Sequence, residues 1–224
     1  MRTLRCSVLL GLGLLFFSAC TTVPVTGRQQ LNLIPNSTLL SASRQQYGAV
    51  KEELEISTDP AANAQVRRVG ARISRAVETY VRQNGLAGQV GELDWEFTVF
   101  DSDQKNAWAM PGGKIAFYEG ILPICRDDNG VAVVMAHEIG HVIARHGGER
   151  MSQMLLTQLG GVALAVAMKD QPSETRAAWL AAYGAGATLG VVLPYSRTME
   201  YEADHLGLVF MAMAGYDPRG AVGF

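Results

Sequence analysis

The chain has 224 residues, of which 48% are hydrophobic and 18% are charged, and its formal net charge is −2 with a pI near 6.1. This composition supplies enough apolar material for the core of one globular domain. The slightly acidic balance gives no electrostatic basis for binding nucleic acid, so we predict no such partner.

Residues 1–19 have the pattern of a bacterial export signal, because a short basic segment with Arg2 and Arg5 precedes an uncharged apolar run. The string Phe17-Ser18-Ala19-Cys20 that follows is similar to a lipobox, although leucine is usual at the first position. We therefore expect Cys20 to be lipidated and to hold the protein in a bacterial cell envelope. Thr21 after the cysteine favours the outer membrane, facing the periplasm. The alternatives are an ordinary cleaved signal and an uncleaved membrane anchor.

Residues 20–36 are predicted to be a lipidated tether, because they are polar, contain several turn-forming residues and show no sustained periodicity. A single domain is expected from 37 to 224. Cys6 would be removed with the signal and Cys20 would carry lipid, which leaves Cys125 alone in the mature chain. We therefore predict no disulfide and interpret Cys125 as a small buried hydrophobe.

The domain is predicted to be α+β and mainly helical, with a small sheet. Ser37 can cap a helix that runs to about Glu55, and Asp59-Pro60 can open a second helix that ends before Gly85. Apolar and polar residues alternate from Leu93 to Val99, which is typical of a half-buried strand. Two further short strands, 106–110 and 114–118, flank the turn residues Pro-Gly-Gly.

The string His137-Glu138-Ile139-Gly140-His141 carries the strongest chemical signal. It lies in an apolar run from Gly130 to Arg145 that predicts a helix, with capping candidates at 127–129. On a helix, residues four apart share a face, so His137 and His141 could bind one ion with Glu138 beside them. This is the zincin pattern, in which one Zn²⁺ per chain is held by two histidines and a third ligand, and the glutamate is the general base. The alternative is a buried structural histidine pair.

Several candidates for the third ligand are disfavoured by geometry. His146 follows His137 by nine residues and would lie on the opposite face of the same helix unless that helix breaks. The metzincin pattern is excluded, because Ala144 and Gly147 stand where that class requires glycine and histidine. His205 would point away from the metal if Glu200 faces it.

A carboxylate on the last helix is therefore the predicted third ligand. Glu200 and Asp204 are four residues apart, so Glu200 could bind the ion while Asp204 hydrogen-bonds the far nitrogen of a ligating histidine. Glu202 is the alternative ligand.

Two stretches, 151–168 and 177–196, contain no charged residue and are rich in alanine and glycine. We predict that they form helices packed in the core, because small residues suit close helix packing. The alternative is a hairpin that dips into a membrane.

The string His137–His141 followed by Glu200-Tyr201-Glu202-Ala203-Asp204 resembles the M48 family of zinc metallopeptidases, in particular bacterial lipoprotein members related to the mitochondrial OMA peptidase. Further similar segments are 106–113, 117–122, Arg145-His146, Glu149-Arg150, Ser196-Arg197 and Pro24-Val25-Thr26-Gly27-Arg28. The resemblance implies a gluzincin fold with ligands His137, His141 and Glu200 and the base Glu138. It also implies an endopeptidase whose substrates are damaged or unassembled proteins of the cell envelope.

In zincins an edge strand near the metal pairs with the extended backbone of the substrate. The candidate substrate-binding residues are Asn106, Ala107, Trp108 and Ala109, and the alternative is a plain structural hairpin. Two other functions remain open: a lipid-anchored chaperone or scaffold with a non-catalytic zinc site, and a hydrolase of non-peptide amides. Family members usually continue into a His-Pro segment and a closing helix, so we expect a chain that ends at Phe224 to be truncated.

Overall fold

The computed structural model describes residues 20–188 and 193–223. The chain divides into two compact units, one formed by Met1–Pro35 with Gly148–Ser196 and the other by Asn36–Gly147 with Arg197–Phe224. The predicted signal peptide, residues 1–19, lies outside the described residues.

The strands are, in chain order, β1 (Cys20–Thr22), β2 (Gln29–Leu31), β3 (Glu96–Phe100), β4 (Ala107–Met110) and β5 (Lys114–Tyr118). The longer helices are α1 (Asn36–Glu53), α2 (Pro60–Gln83), α3 (Asp128–Ile143), α4 (His146–Ala167), α5 (Ser173–Ala187) and α6 (Leu193–Met213). Short helical turns cover Ala87–Val90, Glu119–Ile121, Leu122–Cys125 and Pro218–Gly223. The prediction of a mainly helical α+β fold with a small sheet is confirmed.

The larger unit contains a three-stranded sheet in the order β3-β5-β4. Strand β5 lies in the middle, parallel to β3 and antiparallel to β4. The predicted hairpin is confirmed, and its turn uses Gly112 and Gly113, whose φ angles of 86° and 82° favour glycine. Strand β4 lies at an edge of this sheet and packs against α3.

Helix α2 begins where the sequence predicted. The side chain of Asp59 accepts a hydrogen bond of 2.8 Å from the backbone N–H of Ala61, and Pro60 occupies the first turn. The buried face of α2 includes Val66, Val69 and Ile73, which are fully buried. The predicted bounds of α1 and α2 are therefore correct to within about two residues.

Helix α3 is capped by Asp127, whose side chain accepts a hydrogen bond of 3.0 Å from the backbone N–H of Gly130. Met135, Ile139 and Ile143 are fully buried along one side of this helix. Cys125, just before it, is buried as predicted, and burial raises the pKa of its thiol to about 11.

In the smaller unit, the segment predicted to be a tether contains two short strands that the sequence analysis did not predict. Strands β1 and β2 pair in an antiparallel ladder in which Cys20 lies opposite Leu31. The guanidinium of Arg28 donates two hydrogen bonds of 2.7 Å to the carboxylate of Glu149, which fixes this hairpin to the start of α4. Periodicity could not reveal the hairpin, because each strand has only three residues.

The prediction that the two uncharged stretches pack in the core is also wrong for the described residues. Tyr183 of α5 donates a hydrogen bond of 3.1 Å to the carbonyl of Thr157 in α4. Beyond Ser152, however, no described residue of α4 or α5 is buried, and Val166 is 63% exposed. None of the described helices has the length and apolar character that crossing a bilayer requires.

Candidate metal centre

The site lies in the larger unit, where α3 and α6 touch backbone to backbone. A Cβ atom added to Gly140 of α3 would lie 2.7 Å from the carbonyl oxygen of Ala203 in α6. One added to Gly207 of α6 would lie 3.1 Å from the backbone nitrogen of His137. Glycine at these two positions therefore permits a contact that brings the side chains of α6 up to the histidines of α3.

Three side chains converge there and could hold a metal ion: His137, His141 and Glu200. The Nε2 atoms of the two histidines are 3.1 Å apart. Oε2 of Glu200 lies 3.4 Å from Nε2 of His137 and 3.5 Å from Nε2 of His141. Each candidate ligand thus contributes one donor atom to the same small volume.

The carboxylate of Asp204 lies on the far side of the His137 ring. Its Oδ1 atom is 2.8 Å from Nδ1 of His137. A carboxylate can only accept, so Nδ1 of His137 is the donor of this hydrogen bond, and in the neutral ring the lone pair of Nε2 is then left for a metal ion. The structure thus brings Asp204 to the position that the sequence predicted for it.

The position of His146 differs from the predicted one, which was the opposite face of a helix that continued past His141. Helix α3 ends at Ile143, and Arg145 adopts a positive φ of 59° before α4 begins at His146. This break turns the imidazole of His146 back, and its Nδ1 atom lies 2.8 Å from Nδ1 of His141. The pair Gly147-Gly148 was an available sequence signal for a helix end at this point.

Glu202, the alternative ligand, lies elsewhere. Its side chain is 1% exposed, and its Oε2 atom is 3.0 Å from Nε2 of His146. His205 is exposed and makes an edge contact with the ring of Tyr201, and it does not belong to the group of three candidate ligands.

Glu138 lies next to His137 in a largely desolvated position. Burial raises the pKa of its carboxyl group to about 7, against the lowering effect of His137, while the carboxylate of Glu200 raises it further. A cavity of about 480 Å³ opens beside it, lined by His137, Glu138 and Asp204 and by apolar side chains such as Leu208. Glu138 can therefore exchange protons with a molecule in this cavity.

In the candidate substrate strand β4, some backbone groups bond to β5 and others face away from it. The N–H of Tyr118 donates to the carbonyl of Asn106, so Asn106 and Tyr118 form a hydrogen-bonded pair. Antiparallel pairs alternate, so Trp108 also bonds β5, whereas the N–H and C=O groups of Ala107 and Ala109 face away from it. The side chain of Trp108 is half-buried and packs on the rings of Tyr47 and Phe100.

An edge strand packed against an HExxH helix, with a glutamate from a later helix facing both histidines, defines a zincin-like metallopeptidase fold. The chain belongs to peptidase family M48, whose family model matches residues 61–224.

Named relatives agree with this membership. The mitochondrial metalloendopeptidase OMA1 of Schizosaccharomyces pombe is 30% identical over 215 residues, which cover 96% of this chain and 59% of the relative. The human mitochondrial metalloendopeptidase OMA1 is 28% identical over 217 residues, which cover 93% of this chain and 40% of the relative. The beta-barrel assembly-enhancing protease of Yersinia pestis is 29% identical over 133 residues, or 58% of this chain and 27% of the relative. The chain thus spans about three fifths or less of the length of these relatives.

Proposed function

We propose that this protein is a zinc-dependent endopeptidase in which His137, His141 and Glu200 hold the metal and Glu138 is the general base. The observation that carries the proposal is the spacing of the three donor atoms, 3.1, 3.4 and 3.5 Å. Ligand atoms about 2.0–2.1 Å from a tetrahedral zinc ion are roughly 3.3 Å apart, so the donor set fits one Zn²⁺ per chain.

The number of candidate ligands favours an enzyme over a chaperone or scaffold with a structural zinc site. Catalytic zinc sites use three protein ligands and a water, whereas structural sites use four protein ligands. Among the described residues, the group that could hold a metal contains three side chains.

In the proposed reaction Glu138 carries out two proton transfers. When bound, zinc lowers the pKa of a water molecule and polarises the carbonyl of the scissile peptide. Glu138 accepts the proton of the attacking water and then donates it to the leaving amine, so no covalent enzyme intermediate forms. Its position beside the cavity supports both transfers.

The edge strand supplies a way to hold an extended peptide. The outward-facing backbone groups of Ala107 and Ala109 can pair with a substrate strand, with Asn106 and Trp108 completing the binding edge. An unfolded segment can present its backbone in this manner, whereas a folded protein has already paired it. We therefore propose unfolded, damaged or unassembled proteins as the substrate class.

The proposed cellular location rests on a bacterial relative and on the N-terminal sequence. The Yersinia pestis relative is named for beta-barrel assembly. Together with the lipobox-like string that ends at Cys20, this supports a lipid-anchored protein of the cell envelope, at the outer membrane facing the periplasm. Residues 37–224 would form the peptidase domain and residues 20–36 its link to the membrane.

The substitution Glu138→Gln tests the proposal. The variant is expected to bind one zinc ion per chain with nearly wild-type affinity and to lose cleavage of casein by about a thousandfold or more, since both proton transfers are removed. Glu92→Gln, a change at an exposed carboxylate on the surface, is the matched control and should cleave at the wild-type rate. Casein digestion by the Glu138→Gln protein would refute the assignment of the base. A wild-type protein that binds zinc but leaves casein and other unfolded proteins intact would instead favour the chaperone or scaffold.

A further inference from the structure

We infer that His146 and Glu202 are positioning residues that hold His141 in the tautomer and ring orientation required for binding the metal. The inference rests on the proposed zinc site and concerns two buried side chains that lie behind His141. Three side chains form a continuous row: the ring of His141, the ring of His146 and the carboxylate of Glu202.

The geometry fixes where each proton lies along this row. Nε2 of His146 is 3.0 Å from the carboxylate of Glu202, so this nitrogen is the donor and carries a proton. In the neutral ring Nδ1 of His146 is then an acceptor, and the group 2.8 Å away from it, Nδ1 of His141, must donate. Nε2 of His141 is consequently left with its lone pair, and that is the atom that faces Glu200.

The burial of His146 and Glu202 indicates that these side chains have a role beyond filling space in the core. His146 is 2% exposed and Glu202 is 1% exposed, so a carboxylate and an imidazole have both lost their water. Apolar side chains of similar volume usually replace such a buried pair at no loss of stability. The helix break at Arg145, with its positive φ of 59°, adds a further cost to placing His146 there. A role in orienting His141 accounts for retaining this arrangement.

The two histidines of the site are supported differently. Asp204, which bonds His137, has a side chain that is 66% exposed, so water can substitute for it when it is removed. His141 is supported by a group that water reaches poorly, because His146 is buried. Loss of the acceptor on His146 should therefore weaken zinc binding more than loss of Asp204.

Two substitutions separate the two contacts of His146. In His146→Asn the amide oxygen occupies nearly the position of Nδ1 and can still accept from His141. In His146→Gln the amide nitrogen occupies nearly the position of Nε2 and can still donate to Glu202, while the acceptor beside His141 is lost. A residue that served only to partner the buried Glu202 would be replaced better by glutamine. A residue that positions His141 would be replaced better by asparagine.

The measurement is the zinc affinity of the full chain, obtained by competition with a chromophoric chelator, with thermal unfolding of the metal-free proteins as the check on folding. We expect His146→Gln to weaken zinc binding about 10- to 100-fold and His146→Asn to weaken it by about threefold or less. Thr98→Val removes a buried hydroxyl that bonds Tyr47 at 2.7 Å outside the site and is the control, with unchanged zinc affinity.

Wild-type affinity in His146→Gln, or equal losses in the two His146 variants, would overturn the inference. If neither variant folds, Glu202→Gln keeps the size of the buried side chain and decides the matter. It should weaken zinc binding several-fold, and an affinity equal to that of the wild type would overturn the inference. A wild-type protein that fails to bind zinc would refute the proposed function itself, whereas a zinc-binding wild type with unaffected variants would refute this inference alone.

Discussion

Nδ1 of His137 lies 2.8 Å from Oδ1 of Asp204, while Nε2 of the same ring lies 3.4 Å from Oε2 of Glu200. One turn of α6 therefore contacts both nitrogens of a single imidazole. Glu200 and Asp204 are four residues apart and so share a face of the helix, which explains why one helix can supply both carboxylates.

Asp204→Ala is expected to weaken zinc binding about tenfold, because the proton on Nδ1 of His137 loses its carboxylate acceptor. Asp204→Asn retains an acceptor oxygen without its charge and should lose less. Chelator competition measures both values. Glu92→Ala removes an exposed carboxylate that pairs with Arg44 and is the control. An Asp204→Ala protein with wild-type affinity would show that the contact does not stabilise the metal-binding tautomer.

Gly140→Ala is expected to destabilise the protein by about 1–3 kcal/mol and to weaken zinc binding, because the new Cβ would lie 2.7 Å from the carbonyl oxygen of Ala203. Relief of that clash moves α6, and Glu200 moves with it. Urea unfolding and zinc titration give the two readouts. The matched control is Gly48→Ala in α1, where a Cβ meets no atom within 4 Å. It should be stabilising by about 0.5–1 kcal/mol, since alanine favours a helix. Similar behaviour of the two variants would contradict the proposed close packing.

Local signals in the sequence predicted the elements that depend on neighbouring residues. Asp59-Pro60 opened α2, Asp127 capped α3, and the Pro-Gly-Gly turn joined β4 to β5, because capping and turn formation act over a few residues. The choice between Glu200 and Glu202 as the third ligand does not follow from neighbouring residues in this way. It depends on the contact between Gly140 and Ala203, which is a property of packing and not of spacing.

Two predictions were wrong, each for its own physical reason. The position of His146 was derived from an unbroken helix, whereas one residue in a left-handed conformation, Arg145, was enough to redirect it. The uncharged stretches in α4 and α5 were assigned to the core because they are rich in small residues, which suit close helix packing. The composition of a segment shows that burial of its apolar side chains would be favourable in free energy. It does not show that the fold provides another element to cover them.

Removal of Arg28 should destabilise the smaller unit, since the side chain of Glu149 is 1% exposed and would lose its partner. Arg28→Met is expected to cost about 2–4 kcal/mol, and the double variant with Glu149→Met should recover part of that loss, because the buried charge is then gone. Thermal unfolding followed by circular dichroism measures the change. The control is Arg44→Met, which removes an exposed ion pair and should have little effect. Equal midpoints for Arg28→Met and wild type would contradict the ion pair.

The edge of β4 gives the sharpest test of how a substrate binds. Ala109 directs its N–H away from β5, so Ala109→Pro removes a group that the sheet does not use. The variant should fold normally and retain zinc, but kcat/KM for an unfolded protein should fall about tenfold or more, mainly through a higher KM. Ala109→Val keeps the N–H and controls for the added bulk. Trp108→Pro, in contrast, removes an N–H that bonds β5 and should lower the unfolding midpoint. If Ala109→Pro cleaves as well as Ala109→Val, the substrate does not pair with β4, and the hairpin is purely structural.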